Sequence, residues 1–183
     1  MQKKKKQIGA ELEIPEGITI EISKDVKVKG PKGELTRRLY DPIIFMKVEE
    51  GKVKFNAKKN SKREKRQIGT FKAHIKNMFK GVGEGHVYKL KICSGHFPMN
   101  VSAAKGEFVV KNFLGEKVPR TVKIIEGVDV KLDGEIVIVE SLNKEHAGQT
   151  AADIEQLCRI TNRDRRIFQD GIYITNKDGK EIK

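Results

Sequence analysis

Val26-Lys27-Val28-Lys29-Gly30-Pro31-Lys32-Gly33-Glu34 is written a second time, with drift, as Phe108-Val109-Val110-Lys111-Asn112-Phe113-Leu114-Gly115-Glu116. Two more blocks repeat in the same order. Gly51-Lys52-Val53-Lys54-Phe55 lines up with Gly134-Glu135-Ile136-Val137-Ile138, with Asn60 opposite Asn143. Gly69-Thr70-Phe71-Lys72-Ala73-His74-Ile75 then meets Gly148-Gln149-Thr150-Ala151-Ala152-Asp153-Ile154. The separation of the copies moves from 82 to 83 and then to 79 residues, as small loop changes produce. Three blocks in one order make a duplication of a unit of roughly eighty residues, too few copies for a solenoid.

Each copy reads as several strands followed by one helix. Ile18-Thr19-Ile20-Glu21-Ile22, Val26-Lys27-Val28-Lys29 and Val128-Asp129-Val130-Lys131-Leu132 alternate with period two, the mark of a half-buried strand. Asp133-Gly134 between two such runs predicts a hairpin turn, and Glu50-Gly51 occupies the same place in copy one. Ile68, Phe71, Ile75, Met78 and Phe79 recur at helical spacing, as do Ala147, Ala151, Ile154, Leu157 and Cys158. Thr150 and Asp153 predict a capping box for the second helix. A sheet with one apolar face and a helix with one apolar stripe can bury each other. The expected fold class is therefore α+β, as two tandem duplicated domains, each an antiparallel or mixed sheet packed with one main helix. Gly81-Val82-Gly83-Glu84-Gly85 is the natural joint, so the domains are expected at 1–82 and 83–183, with an extension over 159–183 that copy one lacks.

Composition narrows the function classes. Among 183 residues, 38 Lys and Arg face 25 Asp and Glu, giving a net charge of +13 and an isoelectric point near 9.7. Residues 1–80 hold 22 cations against 10 anions, whereas residues 81–183 hold 16 against 15. A polyanion is the partner such a balance favours, because each neutralised phosphate releases counterions. The longest purely apolar runs, Ile43-Ile44-Phe45-Met46 and Ile136-Val137-Ile138-Val139, are far below a membrane span, and Trp is absent, so no membrane partner is expected. The basic opening Met1-Gln2-Lys3-Lys4-Lys5-Lys6 has no apolar stretch behind it, so a secretory signal is not expected. Two cysteines, Cys93 and Cys158, exclude a disulfide scaffold and fit a cytoplasmic protein.

No catalytic constellation emerges. Gly81-Val82-Gly83-Glu84-Gly85 runs from a helix into a strand, the reverse of a phosphate-cradling loop, and a helix C-terminus offers carbonyls to phosphate. Cys93-Ser94-Gly95-His96 has ligand-like spacing, but Cys158 is expected on a buried helix face and the histidines are scattered. Cys93 has no second feature that would make it a nucleophile. The expectation is no enzyme, no metal, no cofactor and no small-molecule substrate.

The segment that stands out follows the second helix: Arg159-Ile160-Thr161-Asn162-Arg163-Asp164-Arg165-Arg166-Ile167-Phe168-Gln169-Asp170-Gly171-Ile172-Tyr173-Ile174-Thr175-Asn176-Lys177. Arginine forks suit phosphates, while Asn, Gln and aromatic rings suit the bases and sugars of irregular RNA. Phe168, Ile172 and Ile174 are expected to complete the core. Arg163, Arg165 and Arg166 are read as RNA contacts rather than as a merely basic helix end.

The chain resembles the universal large-subunit ribosomal protein L-six family, in its archaeal and eukaryotic branch, whose eukaryotic member is called L-nine. Gln156, Ile160, Arg163, Arg166, the run Phe168-Gln169-Asp170-Gly171-Ile172-Tyr173-Ile174 and Lys177 carry the likeness. The opening Leu12-Glu13-Ile14-Pro15-Glu16-Gly17-Ile18 and the duplicated plan agree with it over essentially the whole chain. The Tyr-Lys-Gly-Lys-Gly-type ending of the bacterial branch is absent. The resemblance implies a structural constituent of the large ribosomal subunit, in the cytoplasm, with neighbouring large-subunit ribosomal proteins as partners. It also implies binding to large-subunit ribosomal RNA near the sarcin–ricin loop, close to where translational GTPases dock, mainly through the second domain.

Carried over residue by residue, Arg163, Arg166 and Lys177 would contact RNA, and Asn162, Arg165, Gln169 and Tyr173 join them from the same stretch. The loop into helix two adds Lys144, His146, Gln149 and Thr150, since a helix N-terminus with free amides attracts phosphate; Glu145 weighs against this. Charge arithmetic points instead to domain one, where Lys58, Lys59, Lys62, Arg63, Lys65 and Arg66 form a secondary basic patch. That patch can meet another RNA segment or a neighbouring protein, or stay solvated. Register is fixed by a few well-placed contacts rather than by net charge, so domain two is expected to be the anchor. A nucleic-acid chaperone or regulator that binds RNA without strong preference, and an enzyme using Cys93 or a hidden carboxylate site, are the competing classes.

Overall fold

The computed structural model describes residues 9–59, 61–104 and 106–182. Residues 1–6 and the Asn60 match to Asn143 lie outside the described residues. The chain divides into two compact units, Met1–Gly85 and His86–Lys183. Among the described residues every strand pairing is antiparallel.

Unit one holds β1 (Gly9–Glu13), β2 (Thr19–Ile22), β3 (Val26–Gly30), β4 (Gly33–Arg37), β5 (Ile44–Glu49), β6 (Lys52–Ala57) and the helix α1 (Lys62–Gly83). Its strands form two three-stranded sheets, in the orders β1-β6-β5 and β2-β3-β4. Val26, Val28, Val53, Phe55, Ile75 and Val82 are fully buried between the sheets and α1. Ser61 caps α1 by accepting from the Arg63 N–H at 3.2 Å, and Glu64 turns back to accept from the Ser61 N–H at 3.0 Å. The helix stops where Gly85 takes a φ of 81° and donates to the carbonyls of Lys80 and Gly81. At Gly30 an added Cβ would lie 2.7 Å from Val82 Cγ2, so only glycine lets the β3–β4 hairpin lie against the last turn of α1.

Unit two repeats this plan with β7 (His86–Cys93), β8 (Asn100–Ala104), β9 (Glu107–Lys111), β10 (Arg120–Lys123), β11 (Val128–Asp133), β12 (Ile136–Ser141) and α2 (Lys144–Leu157). It then adds β13 (Gly171–Lys177) and β14 (Lys180–Glu181). One sheet has the order β10-β9-β8, matching β2 to β4, and the other has the order β11-β12-β7-β13-β14. The added β13 therefore pairs along the edge of β7 that corresponds to the edge of β1 left without a strand partner among the described residues. Ile172 of β13 joins Leu90, Phe108, Phe113, Val137, Val139 and Ile154 in the core, while Phe168 is only half-buried and Ile174 packs against the core from its margin.

Two expectations about local geometry are corrected. The turn between β11 and β12 is Gly134-Glu135, because Asp133 still pairs with Ile136. In copy one the Glu50-Gly51 loop, with φ of 52° and 73°, joins the paired Glu49 and Lys52. Matching Gly51 to Gly134 is thus one residue out of step: Val53, fully buried, corresponds to fully buried Val137 and not to Ile136, which is 41% exposed. A one-residue slip exchanges the two faces of a strand. The second correction concerns α2, which begins at Lys144 behind an Asn143 cap whose Oδ1 accepts from the Glu145 N–H at 3.0 Å. Thr150 therefore lies inside the helix, facing the core, and forms no capping box with Asp153.

Candidate nucleic-acid interface

The chain leaves α2 under tight control. Arg120, on the first residue of β10, sends Nη1 to the Leu157 carbonyl at 2.7 Å and to the Arg159 carbonyl at 3.3 Å. Its Nε and Nη2 donate to Glu116 at 2.8 and 2.6 Å, and its guanidinium carbon stands 4.3 Å from the Phe113 ring centroid. A cation on the last carbonyls of a helix meets both their unsatisfied acceptors and the negative end of the helix dipole. The hydrogen bond from Arg120 holds the Glu116 carboxyl below its ordinary range. Cys158 closes the helix with a thiol that burial pushes up to about 11, so it stays protonated at neutral pH.

Beyond Arg159 the backbone turns at Asn162, with a left-handed φ of 58°. Asp164 then organises the arginines. Its carbonyl accepts from the N–H groups of Ile167 and Phe168, and its carboxylate accepts from the Arg166 N–H at 2.9 Å and from Arg166 Nη2 at 2.7 Å. The Arg166 side chain is 89% exposed, so this pairing orients the fork while its Nη1 remains open to an outside anion. Arg163 lies with its guanidinium carbon 4.9 Å from the Phe168 centroid. Arg165 borders a shallow cavity of about 370 Å³, shared with Glu155, Gln156, Arg159, Ile160 and Tyr173. Gln169 is exposed and donates Nε2 to the Arg166 carbonyl at 3.3 Å.

Tyr173 serves the same segment from β13. Its hydroxyl donates to the carbonyls of Gln169 and Asp170 at 3.2 and 3.3 Å, and burial pushes the phenol above its ordinary pKa. An added Cβ at Gly171 would lie 3.0 Å from Tyr173 Cζ, so glycine is what lets the ring fold back over the loop. Glu155 of α2 accepts from the Ile174 N–H at 3.0 Å, next to the bulge between Ile174 and Asn176.

The sequence-predicted residues thus fall into two groups. Asn162, Arg163, Arg165, Arg166, Gln169 and Tyr173 gather where α2 ends and β13 begins. Lys177 is exposed at the far end of β13, six residues or roughly 20 Å along the strand. There it adjoins Asp178, whose carboxylate lies 3.7 Å from Lys144 Nζ and 3.1 Å from Nδ1 of fully buried His86. His146 and Gln149 are exposed on the first two turns of α2, and Gln149 donates to Asp153 at 2.8 Å. Thr150 is corrected: at 1% exposure its side chain belongs to the core, out of reach of any RNA. Residues 144–150 are likewise helix rather than loop, and the Asn143 side chain already takes the Glu145 N–H.

In unit one, Lys58, Lys59, Lys62, Arg63, Lys65 and Arg66 are all exposed, with Lys58 Nζ 5.1 Å from the Phe45 ring centroid. Glu64 turns inward, as the capping partner of Ser61. Residues that sequence reasoning missed are Arg120, which anchors the helix end, and His96 with Asp170, which meet across 74 positions. No local pattern announces either contact. Among the described residues, no group of three or more His, Cys, Asp and Glu stands close enough to hold a metal ion, and no helix is long and apolar enough to cross a membrane.

Fold and site together define a duplicated, basic α+β protein whose second copy displays guanidinium groups on a braced loop. A family model described as Ribosomal protein L6 matches residues 14–85 and 97–171, one match for each copy. The chain is 48% identical over 176 residues to the large ribosomal subunit protein uL6 of Methanococcus vannielii, covering 96% of this chain and 97% of that one. It is 46% identical over 173 residues to the uL6 protein of Methanosarcina mazei, covering 94% and 98% of the two chains. The chain belongs to the ribosomal protein L6 family, with archaeal relatives, and this is a family of ribosomal proteins and not of enzymes.

Proposed function

We propose that the chain is a structural constituent of the large ribosomal subunit in the cytoplasm and that its second unit binds large-subunit ribosomal RNA. The names of its relatives place them in that subunit. The observation that carries the RNA reading is the braced arginine loop: Arg163 on Phe168, Arg166 on Asp164, and Arg165 beside Tyr173. Pre-ordered forks bind phosphate without losing much side-chain freedom. The finer reading is that this loop meets RNA near the sarcin–ricin loop, among neighbouring large-subunit proteins, and stiffens the region where translational GTPases dock.

Binding to a large-subunit ribosomal RNA transcript falls with salt, with a slope of about −0.7 to −0.9 for each phosphate contacted. Replacing Arg163, Arg165 and Arg166 together by Ala lowers affinity far more than replacing Lys59, Lys62 and Lys65 by Ala. The opposite ranking in a binding titration refutes the site. Cross-linking in intact subunits checks the location, since residues 162–177 must attach to the RNA around the sarcin–ricin loop.

A further inference from the structure

The loop Ser94-Gly95-His96 reaches the arginine segment from β7 and ends on a buried acid. Asp170, 2% exposed, accepts from the His96 backbone N–H through Oδ1 at 2.9 Å and holds His96 Nδ1 against Oδ2 at 2.6 Å. Burial by itself pushes the Asp170 carboxyl up. The N–H groups of His96 and Gly95 together with the imidazole outweigh that and hold it below its ordinary value, so it is an ionised acceptor at neutral pH. An ionised acceptor on Nδ1 fixes the proton there and leaves Nε2, on the far side of the ring, as the unoccupied nitrogen. The imidazole side chain is 38% exposed.

The ring is also stacked. His96 lies 4.7 Å from Phe168, centroid to centroid, at an interplanar angle of 28°, and the same Phe168 ring carries the guanidinium of Arg163. One aromatic side chain therefore carries a guanidinium on one contact and an imidazole on another. An open cavity of about 410 Å³ beside His96 is bordered by Lys91, Cys93, Glu135, Gln169 and Asp170. The charged and titratable groups around the imidazole are thus Asp170 beneath it, Arg163 across Phe168, and Lys91, Cys93 and Glu135 along the cavity.

We propose that His96 is a proton-linked RNA contact, with Nε2 donating to a phosphate beside Arg163 when the ring is protonated, and with Asp170 as its positioning residue. The inference rests on the RNA-binding reading of unit two. A neutral ring offers a phosphate only a lone pair at Nε2, whereas the imidazolium offers a hydrogen bond and a charge. Buried Asp170 and stacked Phe168 supply the orientation and leave Nε2 for the ligand. RNA binding then takes up a proton, and affinity falls as pH rises from 5.5 to 8.

The test titrates the full chain with a large-subunit ribosomal RNA transcript at pH 5.5 and pH 8.0, each at several salt concentrations. For the wild type we expect binding several-fold tighter at pH 5.5 and a salt slope steeper there by about 0.7 to 0.9, one phosphate's worth. His96→Gln is expected to give equal slopes at the two pH values, with an affinity near that of the wild type at pH 8.0. Arg163→Ala binds more weakly but keeps the pH difference, unlike His96→Gln. If His96→Gln retains the wild-type pH difference in slope, the proposal is wrong while the RNA-binding reading survives. If the wild type binds no transcript at either pH, both fall. Should His96→Gln fail to fold, NMR of the His96 ring in the wild type decides: RNA must raise the ring's titration midpoint, and an unmoved midpoint overturns the proposal.

Discussion

The two copies share one plan and finish it differently. In unit one, among the described residues, β1 pairs only with β6 and is the edge of its sheet. In unit two the corresponding strand, β7, is central, because β13 returns from beyond the helix to pair along it. Glu11 and Glu13 on β1 charge the open edge, a common defence against stray strand pairing. In unit two the strand that covers this edge, β13, carries apolar Ile172 and Ile174. Closing the sheet requires the chain to cross from the end of α2 to the start of β13, and that crossing is the arginine loop. The arginine loop of unit two is thus the connection that brings β13 alongside β7, and unit one, whose chain passes on to β7 after its helix, has no counterpart to it.

The largest effect follows from cutting that extension away. A chain ending at Asp170 loses Ile172, which is 1% exposed, and Ile174, the cross-strand partner of fully buried Leu90 on β7. Each fully buried aliphatic side chain contributes about 1.5–3 kcal/mol, and the backbone pairing along one edge of β7 is lost as well. Hydrogen exchange should then show collapsed protection of β7 and β12 and unchanged protection of β3 and β6. Equal losses in both units would mean that the extension is not specific support for its own copy.

Much of this asymmetry was legible in the sequence. The duplication, the strand alternation and both helix stripes came from period-two and helical spacing, because each element faces a core on one side only. The register of β12 was not legible, because a shared glycine, Gly51 against Gly134, outweighed the burial pattern that aligns Val53 with Val137. Thr150 fitted a capping template, yet the apolar stripe already begins at Ala147, three residues earlier, so the true cap had to lie before it. The real capping box, Ser61-Lys62-Arg63-Glu64, stood in plain view inside the basic run, where the charge drew attention away from it. For the site, the arginine loop itself could be read, but its braces could not. Asp170 with His96, and Arg120 with the Leu157 carbonyl, join positions 74 and 37 residues apart through no repeating pattern.

The helix ends sharpen the comparison at intermediate size. α1 terminates locally, through left-handed Gly85, whereas α2 terminates through Arg120 supplied by another strand. Arg120→Ala removes hydrogen bonds from a charged donor and is expected to cost unit two about 1.5–3 kcal/mol. It should also weaken RNA binding, because the carbonyl of Arg159 loses its anchor. Gly85→Ala forces an L-residue into a left-handed conformation and is expected to cost unit one about 1–2 kcal/mol with no effect on RNA binding. Denaturant midpoints, with RNA titrations alongside, check both. If Arg120→Ala destabilised unit two yet left affinity untouched, the arginine loop would be ordered by its own Asp164 and Tyr173 contacts alone.

The smallest effect separates two glycines that the duplication aligns. Gly69 sits exposed in α1, and a Cβ there meets nothing within 4 Å. Gly148 sits in α2, and a Cβ there would lie 3.2 Å from the hydroxyl of Tyr88 on β7, itself only 7% exposed. The contrast follows from the helix faces. α1 presents Ile68, Phe71 and Ile75 to its sheets, while α2 presents Ala147, Thr150 and Ala151, small side chains that suit close approach to β7. Gly69→Ala is therefore expected to stabilise unit one by about 0.5–1 kcal/mol, through helix propensity alone. Gly148→Ala gains the same propensity but must displace a buried ring, and overpacking of that kind costs about 1–3 kcal/mol, so its net effect is destabilising. Opposite signs in thermal unfolding would show that the repeated glycine is a relic of duplication in one copy and a packing requirement in the other. Equal signs would show that α2 lies on its sheet no more closely than α1 does.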